Sequence, residues 1–388
     1  MKMVILSDVH LGRYKYGKMH SSGVDLRTLD ILDNVQEAFD YAKKNNADSI
    51  AILGDFYHTK RPAQIFRRFL SIKLEWALKN NIKLYLLLGN HDQGKSHGHD
   101  IVELVELSSQ IKNLEVVETP KSIETQDSIL CFLPHVNIFD LNISEDKFHS
   151  YLIEEINKLS EIAKKSTKKN KIFFGHFGTD KSVAGKSFDL GTDSKSSRVL
   201  PLAIFDPQIW TRVYLGDIHK PQELNEICRH PGSIAKVDFG EEGEKKGFYF
   251  FNDGNDEFVE VDDREFRTLH LNLSKDARAT MEKFCEEIQD EPIDDCITRL
   301  KIDIKETDKK LISFIGLEEY LKEASWNYVG KSLIEIREDR EDIQIKNDGE
   351  LNYVSMFRDY TKKLKLDDEE DLIKSGEELL LEIQSTKE

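Results

Sequence analysis

The first 220 residues repeat one arrangement five times, in which a short aliphatic run breaks off into a cluster of carboxylate, imidazole or carboxamide side chains. The five segments are MVILSDVH at 3–10, SIAILGDFYH at 49–58, KLYLLLGNHD at 83–92, KIFFGH at 171–176 and RVYLGDIH at 212–219. Between the first three lie amphipathic stretches, one carrying Leu29, Leu32, Val35, Phe39 and Ala42, the next Ile65, Phe69, Ile72 and Trp76. Their spacing predicts helices, so the series reads β-α-β-α-β. Strands that are apolar on consecutive residues rather than alternate ones must be covered on both faces. That predicts an α/β fold, a two-sheet sandwich with helices outside, and excludes an exposed single sheet. Further strands are expected at LEVVE, SILCFLP and KGFYFF, with a helix over 145–165.

In α/β sheets of this kind, ligands collect beyond the carboxyl ends of the strands. The residues there are Asp8 and His10, Asp55 and His58, Asn90, His91 and Asp92, His176, then Asp217 and His219. A single strand-end Asp or His is ordinarily a cap or turn residue. Five such exits in order form a mixed nitrogen and oxygen donor set, of the kind that binds divalent iron, zinc or manganese. Glycine beside most of them lets the backbone turn sharply and approach closely.

Composition narrows the function classes. Hydrophobic residues make up 39% of the 388 and charged residues 33%, a globular balance, and no apolar run reaches the roughly 18 residues of a membrane span. No secretory signal is evident at the N-terminus, so a cytoplasmic setting is expected, bacterial or viral-host, or nuclear in a eukaryote. Cys131, Cys228, Cys285 and Cys296 lack any C-x-x-C pair and read as buried thiols. Residues 251–388 hold 38 Asp and Glu against 21 Lys and Arg, which is the whole of the net charge of -17, while residues 1–250 hold 34 of each. Bulk field therefore does not draw this chain to nucleic acid, although a cation-filled site in the neutral half can. Beyond residue 255 the texture changes to strands at EFVEVDD, FRTLHLNLS, CITRLKIDIK and KSLIEIRE, with helices near 276–290 and 309–323. From about 350, apolar stripes (Val354, Phe357, Tyr360, Leu364; then Leu372, Ile373, Leu380, Ile383) predict two short helices that either pack on their own domain or dock on a partner.

The ordered set D-x-H, G-D-x-x-H, G-N-H-D, G-H and G-D-x-H resembles the calcineurin-like metallophosphoesterases. The longer strings SDVHLG, GDFYHTKRP, GDIHKPQ and HPGSIAKVDFGEEGEKKGF are similar to the Mre-eleven/SbcD branch of that family over roughly residues 1–255. The resemblance implies a nuclease domain at 1–255, a small α+β cap for DNA at 256–345 and a C-terminal helical partner-binding segment at 346–388. It implies two divalent ions, most simply Mn2+, one held by Asp8, His10, Asp55 and His219 and the other by Asp55, Asn90, His176 and the residue at Asp217. Asp55 would bridge them. His91 would be the general acid, oriented by Asp92, and His58 would touch the scissile phosphate. The family has His where this chain has Asp217, which adds a negative charge to the second site.

The resemblance further implies 3′-to-5′ exonuclease action on duplex ends and endonuclease action on single strands, in double-strand-break repair or recombination. Its partners would be a second copy of the chain and an SbcC/Rad-fifty-type coiled-coil ATPase, with no membrane. Two alternatives stay open: a DNA-end-binding scaffold of little activity, and a phosphoesterase acting on a small nucleotide or phosphoprotein. Lys60 and Arg61 are the candidate DNA contacts nearest the site; the run Lys164, Lys165, Lys168, Lys169 and Lys171 reads as a solvated face or as a further contact. Ala184-Gly185-Lys186-Ser187 imitates a phosphate-binding loop, but the motif needs glycine where Asp180 stands. His97 and His99 sit in a polar segment that reads as a loop lining the site.

Overall fold

In the computed structural model of the chain, two six-stranded sheets carry the first 260 residues. The structure describes residues 1–12, 15–21, 23–92, 111–141, 143–183, 199–273, 277–305, 308–310, 312–336 and positions 361, 373, 374 and 376. The phosphate-loop imitation, His97 and His99, and nearly all of the expected C-terminal helical pair lie outside the described residues.

The first sheet runs β14-β13-β1-β2-β3-β4, from β1 (Lys2–Leu6), β2 (Ser49–Leu53), β3 (Lys83–Leu87), β4 (Leu114–Val117), β13 (Gly247–Asn252) and β14 (Asn255–Glu260). Strands β1 to β4 are mutually parallel, and β13 returns antiparallel beside β1. The second sheet runs β11-β12-β10-β7-β6-β5, with β6 (Ser128–Leu133), β7 (Asn170–His176), β10 (Arg212–Gly216) and β12 (Cys228–His230) parallel. Strands β5 (Lys121–Glu124) and β11 (Gln222–Glu223) are antiparallel to β6 and β12, and β8 (Gly178–Thr179) and β9 (Val199–Leu200) form a separate pair. Helices α1 (Leu26–Lys44) and α2 (Gln64–Lys79) follow β1 and β2, and a helix over Glu145–Lys165 precedes β7. Asp25 starts α1 as its N-cap, its carboxylate accepting from the amides of Arg27 and Thr28.

The continuous apolar runs have the reason expected of them. Along β1, Met3 and Ile5 face the second sheet and join Leu53, Leu87, Phe132, Phe174 and Tyr214 in the inter-sheet core. Val4 and Leu6 point the other way and pack with Ile31, Val35, Phe39 and Leu74 of the helices. On the second sheet, Cys131, Phe173 and Val213 face Phe148, Leu152, Ile156 and Leu159 of the helix over 145–165. The central parallel strands are therefore buried on both sides in a four-layer α/β/β/α sandwich, while the edge strand β14 alternates between exposed and half-buried residues.

Beyond the sandwich, β15 (Phe266–Asn272), β16 (Ile297–Lys305) and β17 (Asn327–Ile336) form a three-stranded sheet with β16 in the middle. The chain divides into two compact units: Met1–Leu271 with Met281–Lys301 and Phe314–Ser332, and Asn272–Thr280 with Ile302–Ser313 and the chain from Leu333 on. All four cysteines are free, and Cys285 is half-buried where sequence suggested full burial. No helix among the described residues is long and apolar enough to cross a membrane.

Phe174 is fully buried between the sheets, stacked on Phe132 at 5.0 Å and on Tyr214 at 5.9 Å. Phe174→Ala is expected to lower the unfolding free energy by about 3–5 kcal/mol in urea titrations, because the cavity lies where neither sheet can close in.

Candidate metal centre

All five polar clusters meet at the carboxyl ends of the parallel strands, three from the first sheet and two from the second. Two close approaches make this possible. Gly54 has φ +84°, and a Cβ there would run into the His176 ring and come within 2.8 Å of the Gly89 Cα. A Cβ on Gly216 would collide with the Leu53 carbonyl and the Ser7 hydroxyl. With those side chains absent, the Leu53 carbonyl at the end of β2 accepts both Ser7 Oγ at 2.9 Å and His176 Nδ1 at 2.7 Å. One oxygen thus ties together strand ends from both sheets.

The ligand-bearing backbone is strained. Asp8, His10, Asp55 and Asp217 have φ of 49°, 47°, 52° and 81°, four of the eight non-glycine residues with positive φ among the described residues. Left-handed geometry in a side-chain-bearing residue costs roughly 1–3 kcal/mol. It is held by Asp8 N–H to the Gly54 carbonyl (3.2 Å) and His10 N–H to the Asp55 carbonyl (2.8 Å).

The side chains converge as three overlapping groups: Asp8, His10 and His219; Asp8, Asp55 and His176; and His10, His58 and His91, with the ligand atoms of each group within 4.8 Å of one another. His10 Nε2 lies 2.9 Å from His219 Nε2 and 3.6 Å from Asp55 Oδ2. His176 Nε2 lies 3.0 Å from Asn90 Oδ1, 3.6 Å from Asp55 Oδ1 and 3.8 Å from Asp217 Oδ1. Asp8, His10, Asp55 and His176 are at most 2% exposed. Asp217 is partly exposed, and its backbone N–H donates to both Asp8 oxygens at 3.3 and 3.2 Å.

A divalent cation fits these donors on two counts. Burial pushes the carboxyl of Asp8 up and that of Asp55 well up, since no lysine or arginine among the described residues pairs with either. Burial disfavours charge on His176, yet Asp55, Asp8 and Asp217 outweigh it and hold the imidazole at about 9. His176 also gives Nδ1–H to a carbonyl that can only accept, so its Nε2 meets three oxygens with either a proton or a metal between them. When bound, two such cations shield phosphate charge and lower the pKa of a water nucleophile.

Two placements differ from the reading of the sequence. Asp92 turns away from the His91 ring: its carboxylate accepts the amides of Asp55 (2.7 Å), Phe56 (3.0 Å) and Gly89 (2.9 Å), and burial pushes it up to about 6. It braces the loops after β2 and β3. The His91 ring is oriented instead by the His58 carbonyl, 2.7 Å from Nδ1, and the His58 ring stacks on it at 5.6 Å. Burial lowers the pKa of His91. Lys60 is half-buried and Arg61 exposed, on the segment between His58 and α2. Sequence reasoning passed over Glu241, whose Oε1 lies 3.0 Å from His219 Nδ1. Its sequence signal is its place in the string HPGSIAKVDFGEEGEKKGF, where it is one of four acidic residues and nothing distinguishes it from the other three.

The family model for calcineurin-like phosphoesterases matches residues 1–221. The DNA double-strand break repair protein Mre11 of Archaeoglobus fulgidus is 23% identical over 291 residues, covering 70% of this chain, and the chain spans 61% of that protein's length. Among solved structures, a dimetal phosphatase from Danio rerio aligns with 64% of this chain and 91% of its own at 10% identity and a TM-score of 0.39. GAP50, the anchor in the inner membrane complex of Plasmodium, aligns with 64% and 80% at 13% identity and a TM-score of 0.36.

Because His176 is raised in the folded chain, it stabilises the metal-free protein fully below its unfolded value near 6.5, and that contribution is lost as pH rises through about 9. With chelator present, the melting temperature is therefore expected to fall between pH 6.5 and 9. Saturating manganese removes that fall, as a melting series with and without the ion would record.

Proposed function

The chain belongs to the calcineurin-like phosphoesterases, and on that footing we propose that it is a metal-dependent nuclease that hydrolyses DNA phosphodiesters. The observation that carries the reading is the convergence of Asp8, His10, Asp55, Asn90, His176, Asp217 and His219 into adjoining donor groups, two of which share Asp8, with Asp55 3.6 Å from both His10 Nε2 and His176 Nε2. We assign the first metal to Asp8, His10, Asp55 and His219 and the second to Asp55, Asn90, His176 and Asp217, with Mn2+ as the ion. Aspartate at 217 is an oxygen donor that manganese accepts, and it leaves the site one charge more negative than histidine would.

The residues divide the remaining work. His91 gives Nδ1–H to the His58 carbonyl, so it would act as general acid in its imidazolium form, whose second proton, at Nε2, goes to the departing oxygen; burial works against that charged form. The half-buried His58 ring stands beside it, and we assign it the contact to the scissile phosphate. Asp92 keeps both loops in place through the backbone. Lys60 and Arg61 lie two and three residues beyond His58 and are the proposed contacts to the DNA backbone.

The name of the Archaeoglobus protein supports a setting in double-strand-break repair; we propose duplex ends and single strands as the substrates, in break repair or recombination. By the same likeness we propose a nuclease domain over 1–255, a cap over 256–345 and a partner-binding segment over 346–388. A second copy and a coiled-coil ATPase of the SbcC/Rad-fifty type are the proposed partners, in the cytoplasm of a bacterium or viral host. The partly exposed Asp217 favours one second reading, an end-binding subunit of low turnover.

Release of nucleotides from end-labelled duplex and single-stranded DNA separates these. Manganese-dependent cleavage that His91→Ala reduces by roughly 10²–10⁴-fold is expected. If the wild type binds ends without cutting while Asp217→His cuts, the scaffold reading is right. If only small phosphate esters are hydrolysed, DNA is the wrong substrate.

A further inference from the structure

Behind His219 lies a buried ion pair that the chemistry above does not use. Glu241 and Lys246 are each 1% exposed. Glu241 sits on a short turn over Phe239–Glu241 that the Asp238 carboxylate caps through the Gly240 amide at 2.8 Å. Its Oε2 accepts the Val237 amide at 3.0 Å and Lys246 Nζ at 2.9 Å. The Lys246 ammonium has three protons and meets three acceptors, the others being Glu244 Oε2 at 3.0 Å and the His219 carbonyl at 2.9 Å. With Oε2 pinned by two donors, Oε1 is left facing His219 Nδ1 at 3.0 Å.

We propose that Glu241, anchored by Lys246, is a positioning residue that fixes His219 as the Nδ1–H tautomer and so makes its Nε2 a metal ligand. The inference rests on the metal-centre reading of the site. A carboxylate has no proton to give, so Nδ1 must donate to it, and the neutral ring then carries its lone pair at Nε2. That atom is the one facing His10 Nε2 at 2.9 Å. Lys246 completes the arrangement by holding the backbone of the same residue whose ring Glu241 holds, so rotation of the imidazole and displacement of the strand exit are restrained together. Partners of this sort on a ligating histidine fix its tautomer, raise its basicity and change metal affinity roughly 10–100-fold.

Glu241→Gln turns the idea into an experiment, because the pinned position demands an oxygen. The amide oxygen is drawn to Lys246 and the Val237 N–H, which leaves the NH2 group facing His219 Nδ1. The ring must then accept at Nδ1 and carry its proton at Nε2, where no metal can bind. Nitrogen-15 spectra of histidine-labelled, metal-free full-length protein, with His219 assigned from a His219→Gln sample, read the tautomer directly. Manganese titration by calorimetry reads affinity on the same samples.

The expected result is Nδ1–H in the wild type, Nε2–H in E241Q, and a roughly 10–100-fold loss of affinity for one manganese ion. A wild-type His219 that is Nε2–H overturns the proposal, and so does an E241Q protein that binds both ions as tightly as the wild type. Should E241Q fail to fold, the wild-type tautomer alone decides. If the wild type is Nδ1–H but binds no manganese at all, the metal-centre reading fails and takes the proposal with it, an outcome distinct from the other two.

Discussion

Buried negative charge without a matching lysine or arginine is the constraint on which the rest of this structure depends. Asp8, Asp55 and Asp92 are each at most 2% exposed and lie at one seam between two sheets. Asp92 accepts three backbone amides, whereas Asp8 and Asp55 accept one each, from Asp217 and His91, and face imidazoles and each other. Burying a carboxylate away from water is unfavourable unless a cation or donors accompany it. The strained φ values of Asp8, His10, Asp55 and Asp217 are a second expense at the same place. A fold that concentrates both at the carboxyl ends of its strands has its binding energy for divalent cations prepared in advance, since the carboxylates need no reorganisation to meet the ions.

That arrangement also reconciles the charge of the chain with an anionic substrate. The N-terminal 250 residues carry equal numbers of acidic and basic side chains. With cations bound at the seam, attraction to phosphate would come from that local focus rather than from a basic surface. The Asp217 carboxylate stands 3.8 Å from His176 Nε2, in the left-handed conformation at the exit of β10, where it would modulate that focus. Aspartate enters that region more readily than most residues and supplies an oxygen donor where the resembling family supplies nitrogen.

Much of this was legible in the amino-acid sequence, for a definite physical reason. Runs such as SIAIL and KIFF are apolar on both faces because inter-sheet and helix-facing cores flank them, so their lengths and exits stand out. The helices over 26–44, 64–79 and 145–165 follow from their apolar stripes in the same way. What stayed hidden depends on side-chain direction. In G-N-H-D the adjacency of His91 and Asp92 suggests that one orients the other, yet on this tight turn the carboxylate faces inward to amides while the ring turns to the His58 carbonyl. Glu241 lies 22 residues beyond His219, and nothing in periodicity reports that a turn brings them to 3.0 Å. The role of the Leu53 carbonyl is equally invisible, because it belongs to the backbone of a residue that reads only as core.

The most direct test of the account is a crystal of the full-length chain grown with manganese, with anomalous difference density collected at the manganese edge. Two peaks about 3.5–4 Å apart, both in contact with Asp55, with His10 and His219 on one and His176, Asn90 and Asp217 on the other, are the predicted result. A single peak, or density away from Asp55, would contradict it.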